Sequence, residues 1–193
     1  MSTLIDILGA TVITGFLILM TISFSSRIND VTQESISSDI TLNDASNSAQ
    51  ILEYYLYKIG SMATSDVISV ADSNKIRFMG DIDEDGSAED FTLYNYTGRE
   101  WTETENPDDS PIYSRINSGD NNLIAVVTKF NLTYFDEMLS EISYADLASR
   151  QSARDSIRSV RVFVKSESRF PVDSVYQGVV WERLISPKNL IIN

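Results

Sequence analysis

The densest chemistry in this sequence lies in one run, Asp81-Ile82-Asp83-Glu84-Asp85-Gly86-Ser87-Ala88-Glu89-Asp90. Acids at loop positions one, three and five, followed by glycine, form the front half of an EF-hand-like calcium loop. Asp81, Asp83 and Asp85 at that spacing can turn oxygens toward one hard cation, and Gly86 permits the sharp turn. The twelfth position is Thr92 rather than a bidentate glutamate, so Glu89 or Asp90 would have to substitute. No helix pair flanks the loop, which points to a structural calcium ion that staples the loop rather than to a sensor. The competing reading is an acidic β-turn on a solvated surface.

The other residue whose placement could do chemistry is Asp6. From Ile7 to Phe24 no residue is charged, and that run is about as long as a bilayer core is thick. An acid at its edge is costly in lipid and needs a partner. The alternative is a polar cap at the start of a helix, where an acid also suits the macrodipole. Gly9 and Gly15 interrupt the apolar run with Thr11, Thr14, Thr21 and Ser23. Small residues of this kind let helices approach closely in lipid, although membrane helices also tolerate them without any such role.

Catalysis finds little support. The chain has no histidine and no cysteine, so neither a Ser/His/Asp nor a Cys/His arrangement can be built from it. Carboxylates abound, but nothing in the pattern sets their pKa values apart as a glycosidase requires. The chain is therefore expected not to be an enzyme and to require no cofactor, with a structural calcium ion as the one candidate. The triplets Asn95-Tyr96-Thr97 and Asn131-Leu132-Thr133 match the glycosylation sequon, but both fall in expected strands and are read as structural.

The bulk numbers bound the partners. Over 193 residues there are 28 acids and 15 bases, a net charge of −13 with no basic run, which argues against nucleic acid. The hydrophobic fraction, 42%, is enough for one core in a domain of roughly 130 residues behind the apolar segment. A secretory signal peptide would need a basic leading region, and here that region, MSTLID, is acidic. Ser-Phe-Ser-Ser could still serve as a cleavage site. An ordinary single-pass anchor also fits, and the one flanking base, Arg27, is too little to orient it.

These residues must be positioned by a long N-terminal helix. After Arg27 its apolar positions thin to Ile28, Val31, Ile36 and Ile40. A sharper stripe follows at Ala45, Ala49, Leu52, Leu56, Ile59 and Ala63, with spacing that places them on one helical face beside Tyr54, Tyr55 and Tyr57. Thr41 with Asp44 resembles a capping box, where the helix could break or restart, and Gly60 suits a stop. A continuous helix from Leu4 to Ile59 would run on the order of 80 Å, longer than a compact head needs, so part of it should pack against something outside the chain.

From Val67 the period shortens to two. Strands are expected at residues 67–71, 75–80 and 90–96, with Asp72-Ser73-Asn74 as a hairpin turn. Residues 103–111 read as an acidic, proline-marked loop. Residues 123–135 read as one strong strand, 137–155 as a short helix or long ordered loop, and 157–164 and 175–185 as the closing strands. A long helix followed by five to seven antiparallel strands is an α+β layout. The expected segments are an apolar membrane or filament-core helix over 1–26, an amphipathic half packing on the head over 27–65, and an antiparallel β-rich head over 66–193.

Taken together the chain resembles the type IV pilin-like proteins, the pilins and the pseudopilins of type II secretion. Ser2-Thr3-Leu4-Ile5-Asp6 reads in register with that family's opening Phe-Thr-Leu-Ile-Glu, with Asp6 at the glutamate position. The helix that becomes amphipathic, the acidic loop between strands, and the segments DSIRSVRVFVKSES and ISPKNL are similar to features of larger, minor-type subunits. The family's precursors carry a basic leader ending in glycine. No such glycine precedes Ser2, so the resemblance fits a mature form beginning at Met1 or a chain without the leader. The proline common near mid-helix in the family is also missing, with Ile22 and Ser23 in that region.

The resemblance implies a structural subunit that waits in the inner membrane and then joins a cell-surface filament. Its partners would be copies of itself and the pilus or secretion assembly machinery, with Asp6 paired to the α-amino group of Met1 or Ser2 of a neighbouring copy. Gly9 and Gly15 would allow close approach in the filament core. The alternatives are a minor pilin or secretion pseudopilin at a filament tip, and a membrane-anchored ectodomain that binds a ligand or calcium and never polymerises.

Overall fold

The computed structural model describes residues 2–97, 101–171 and 174–190, apart from the side chain of residue 2. It is an α+β fold. Helix α1 (Ser2–Tyr57) leads into a head that has eight strands among the described residues, arranged as two antiparallel sheets. The first sheet is a meander of β1 (Ile68–Ala71), β2 (Lys75–Gly80), β3 (Glu89–Asn95), β4 (Ser110–Ile116) and β5 (Asn122–Val127), in chain order. The second joins β6 (Lys129–Phe135), β7 (Ser159–Glu167) and β8 (Gly178–Ile185), again in chain order. Two short helices, α2 (Tyr144–Ser149) and α3 (Gln151–Asp155), cross from β6 to β7 and lean on β1.

Helix α1 is unbroken through Thr41, where the sequence suggested a restart. Thr41 is buried, and its Oγ1 donates to the Ser37 carbonyl 2.9 Å away. Its hydroxyl thus bonds back to the preceding turn instead of capping a new one. The helix ends at Tyr57, and Gly60 follows with a φ of 78°, a left-handed turn that favours glycine. Docking begins near Thr41, later than residue 27. Ala45, Ala49, Leu52 and Leu56 are then buried in the predicted stripe, against β5, β7 and β8. Tyr55, beside the stripe, stacks on Phe91 of β3 with ring centroids 4.5 Å apart. Full burial of Leu52 and Leu56 is worth about 1.5–3 kcal/mol each, which fixes this half of the helix to the head.

The core is continuous from α1 across both sheets. Ile76, Phe78, Phe91, Leu93 and Ile112 come from the meander, and Leu132, Tyr134, Val160, Val162 and Ile185 from the second sheet. Leu147 of α2 and Ile157 close one end. The expected strand over 123–135 is in fact two strands in different sheets. At Thr128 the chain leaves β4 and turns to β7, with both its N–H and its Oγ1 donating to the Lys165 carbonyl. The buried apolar positions are Ala125 and Val127 before the break, then Leu132 and Tyr134 after it. That switch from odd to even positions is the phase slip a change of sheet requires. Strand β4 was hidden in the sequence by the proline-marked loop, whose last two residues, Ser110 and Pro111, open it. The final strand starts at Gly178 rather than at residue 175.

Candidate functional site

Two places hold the residues that the sequence singled out. The first is the free half of α1. Every large apolar side chain from Leu4 to Phe24 is 52–71% exposed, although each is a type that cores normally bury. This helix is the one among the described residues that is long and apolar enough to cross a membrane, and its most apolar stretch has no buried residue.

Asp6 is exposed on α1 and has no ion-pair partner among the described residues. Because the helix already exists at Ser2, Asp6 falls beyond its first turn, too far in to cap it. At about 100° per residue, Gly9 stands roughly 60° from Asp6 around the axis, and Gly15 roughly 120° from Gly9. The three residues therefore do not form one seam. A side chain added at either glycine would meet nothing within 4 Å.

The second place is the β2–β3 hairpin, and its geometry follows from the strands. Gly80 pairs with Glu89 at the end of the ladder, so the acidic run is the loop that closes it. One oxygen from each of the Asp81, Asp83 and Glu89 carboxylates lies within 4.8 Å of the other two. Asp81 is 8% exposed, Glu89 is half-buried and Asp83 is exposed, so the cluster runs from the head's interior outward. Oxygens of these carboxylates also shape the loop. Asp81 Oδ2 accepts from Gly86 N–H at 3.3 Å, Asp83 Oδ1 from Asp85 N–H at 3.2 Å, and Glu89 Oε2 from Ile82 N–H at 2.8 Å. Gly86 sits at a φ of 91°, as the turn demands.

Asp85 and Asp90 stay outside this cluster. Asp85 Oδ1 accepts from Ser87 N–H at 2.8 Å in a local turn. Asp90, on β3, is held by Arg77 of β2, whose Nε donates to Asp90 Oδ1 at 2.8 Å. Arg77 pairs in register with Thr92, which makes Asp90 its diagonal neighbour across the hairpin. The guanidinium's hydrogen bonds hold the Asp90 carboxyl below its ordinary value, against the opposing effect of burial.

No motif in the sequence marks the end of α1 as the brace of this loop. Tyr54 Oη donates to the Ile82 carbonyl at 3.0 Å, and Lys58 Nζ donates to Glu84 Oε1 at 2.7 Å. That hydrogen bond raises the Lys58 pKa and lowers that of Glu84. Asp81 N–H reaches both the hydroxyl and the carbonyl of Ser61, at 2.7 and 3.1 Å. Tyr54 lies on the helix beside the apolar stripe, while Lys58 and Ser61 follow its end, on either side of the left-handed turn at Gly60.

The architecture is pilin-like: a long N-terminal helix, half free and half docked on an antiparallel sheet. No protein family, no curated protein and no solved structure matches the chain.

Proposed function

We propose that this chain is a structural subunit of a type IV pilus-like filament, polymerising through its apolar N-terminal helix. The observation that carries the reading is the uncovered apolar half of α1. Thirteen large hydrophobic side chains between Leu4 and Phe24 stand in the open while the rest of the helix is docked. So large an apolar surface needs either lipid or other protein to cover it. The inner membrane would cover it before assembly, and copies of the same helix would cover it afterwards in a fibre at the cell surface. The exchange is feasible because the surroundings remain apolar. Asp6, with no ion-pair partner among the described residues, would pair with the α-amino group of a neighbouring copy, and the pilus or secretion machinery would drive the transfer. The resemblance of Ser2–Asp6 to the family's opening segment supports the same reading.

A second reading, a single-pass anchor that carries the head and never polymerises, is favoured by the disposition of the glycines. Gly9 and Gly15 lie on different sides of the helix and offer no shared close-packing seam. The test is electron microscopy of material sheared from cells that make the chain, with the N-terminal mass measured on the same material. A filament subunit gives fibres that contain this chain, and Asp6→Ala abolishes them without lowering the amount in the membrane. Absence of the chain from any fibre, with all of it in the membrane fraction, would refute the filament reading. A pseudopilin or minor subunit would appear in fibres in only a few copies.

A further inference from the structure

We infer that Asp81, Asp83 and Glu89 bind one calcium ion, and that this ion locks the β2–β3 loop against the end of α1. A cluster of acids is not enough to say so, since solvated loops are often acidic. The deciding observation is the inner member of the cluster. Asp81 is 8% exposed, and its Oδ1 is buried without any hydrogen-bond partner. A buried carboxylate oxygen left unpaired is costly, and native structures rarely keep one unless an ion or a water completes it.

The rest of the geometry says which. Three oxygens within 4.8 Å of one another can all be reached from one point at about 2.8 Å or less, within a few tenths of an ångström of the roughly 2.3–2.6 Å at which calcium takes its ligands. The three carboxylates bring three negative charges, and the base beside them, Lys58, is engaged by Glu84. A water at Asp81 Oδ1 would satisfy one oxygen and leave that charge unbalanced. A divalent cation answers both. Asp83 and Glu89 each keep one oxygen free of the loop's own hydrogen bonds, and solvent on the Asp83 side can supply the remaining ligands. The ligands thus stand at positions one, three and nine of the acidic run, with position five turned away.

The ion would have a mechanical consequence. Asp81 follows the residue that abuts α1, and its N–H is held by Ser61 just past the helix. Ile82 is tied to Tyr54 and Glu84 to Lys58. Fixing the loop therefore fixes the junction through which the helix carries the head. The inference stands on the hairpin alone and holds whether or not the chain polymerises.

The experiment is calorimetric titration of calcium chloride into the full-length protein in detergent, after treatment with a chelator. Thermal unfolding of the same samples is followed in parallel. The expected result is one saturable site per chain with a dissociation constant on the order of 1 mM or tighter. At a hundredfold excess of calcium over that constant the midpoint should rise by about 5–10 °C. Asp81→Asn should weaken binding at least tenfold, whereas Asp85→Asn, outside the cluster, should change it less than about threefold. If Asp81→Asn does not fold by circular dichroism, Glu89→Gln takes its place with the same expectation. No saturable binding by the wild type up to about 10 mM calcium, or equal loss in the Asp85 variant, overturns the inference. Equal affinity for magnesium would overturn the assignment to calcium.

Discussion

Replacing Leu17 by arginine separates the two halves of α1 by experiment. Leu17 lies near the middle of the uncharged run from Ile7 to Phe24 and is 58% exposed in the isolated chain. The run contains ten residues of the Leu, Ile, Val and Phe types. At about 0.3–0.6 kcal/mol each, they favour membrane insertion by roughly 3–6 kcal/mol. Gly9, Gly15, three threonines and Ser23 give part of this back. An arginine at the centre costs about 2.5–3.5 kcal/mol, and the lost leucine adds about half a kilocalorie more. The change of about 3–4 kcal/mol consumes most of the available drive, a shift of roughly a hundredfold to a thousandfold in partitioning.

The head should not notice, because the apolar run has no buried residue. The assay has two arms. Alkaline extraction of membranes reads whether the chain stays in lipid, and urea unfolding of detergent-solubilised protein, followed by tyrosine and tryptophan fluorescence, reads the head. The expected outcome is loss of the extracted-membrane pool with head stability within about 0.5 kcal/mol of wild type. A destabilisation above about 1 kcal/mol would mean that the apolar half packs on the head, and the division of α1 drawn above would fail. An arginine variant fully retained in membranes would refute the idea that this run is what lipid holds.

Further expectations concern the head. Leu56→Ala, at a fully buried position on the docked stripe, should cost about 2–5 kcal/mol in urea unfolding. Gly80→Ala should destabilise by at least about 2 kcal/mol, because a Cβ there runs into the Lys58 carbonyl at the end of the helix; its midpoint in thermal unfolding reads this. Tyr134→Phe removes a buried hydroxyl that donates to the Asp72 carbonyl at 2.9 Å, and a loss of about 1–2 kcal/mol is expected in urea. The Asp90 carboxyl titrates below its ordinary 3.8, so its pairing with Arg77 stabilises the fold above that pH and is lost as the pH falls through the lowered folded value. Asp90→Asn should therefore cost about 0.5–1 kcal/mol at neutral pH in calcium-free buffer, and the difference from wild type should vanish on acid titration.

The class of fold was readable because its two signals are strong. A charge-free run followed by a stripe at Ala45, Ala49, Leu52 and Leu56 can only be a helix with two differently covered halves, and alternation from Val67 onward marks strands. What escaped was decided by contacts across the chain. Thr41 looks like a cap by local chemistry, but its side chain satisfies itself on the Ser37 carbonyl and the helix passes through. The break at Thr128 is invisible as a turn, with no glycine or proline, and shows only as a change in which positions are buried. In the acidic loop, the pattern of acids singled out Asp81, Asp83 and Glu89 together with Asp85 and Asp90. It could not sort them, since what removes Asp90 is an arginine thirteen residues earlier.

The geometry of α1 also constrains how the head is presented. Between Phe24, where the apolar run ends, and Thr41, where docking begins, the helix crosses about 25 Å at 1.5 Å per residue. Ser25, Ser26, Asn29, Asp30, Gln33, Glu34 and Ser35 make this interval mostly polar, with Ile28, Val31 and Ile36 spread among them. It is too polar to follow the first segment into lipid; its first part is exposed, and from Gln33 onward it faces the head across a groove shared with Trp101, Leu123 and Phe170. On either functional reading, then, the head stands off from the apolar layer on a single helical stalk. Its attachment must bear that leverage, and the bonds at the far end of α1 are placed to do so. The Gly60 N–H donates to the Met79 carbonyl, Ser61 holds Asp81, and Lys58 holds Glu84. The loop that carries the acidic cluster is thus the part of the head most directly tied to the stalk, and any ligand that stiffens it stiffens the junction.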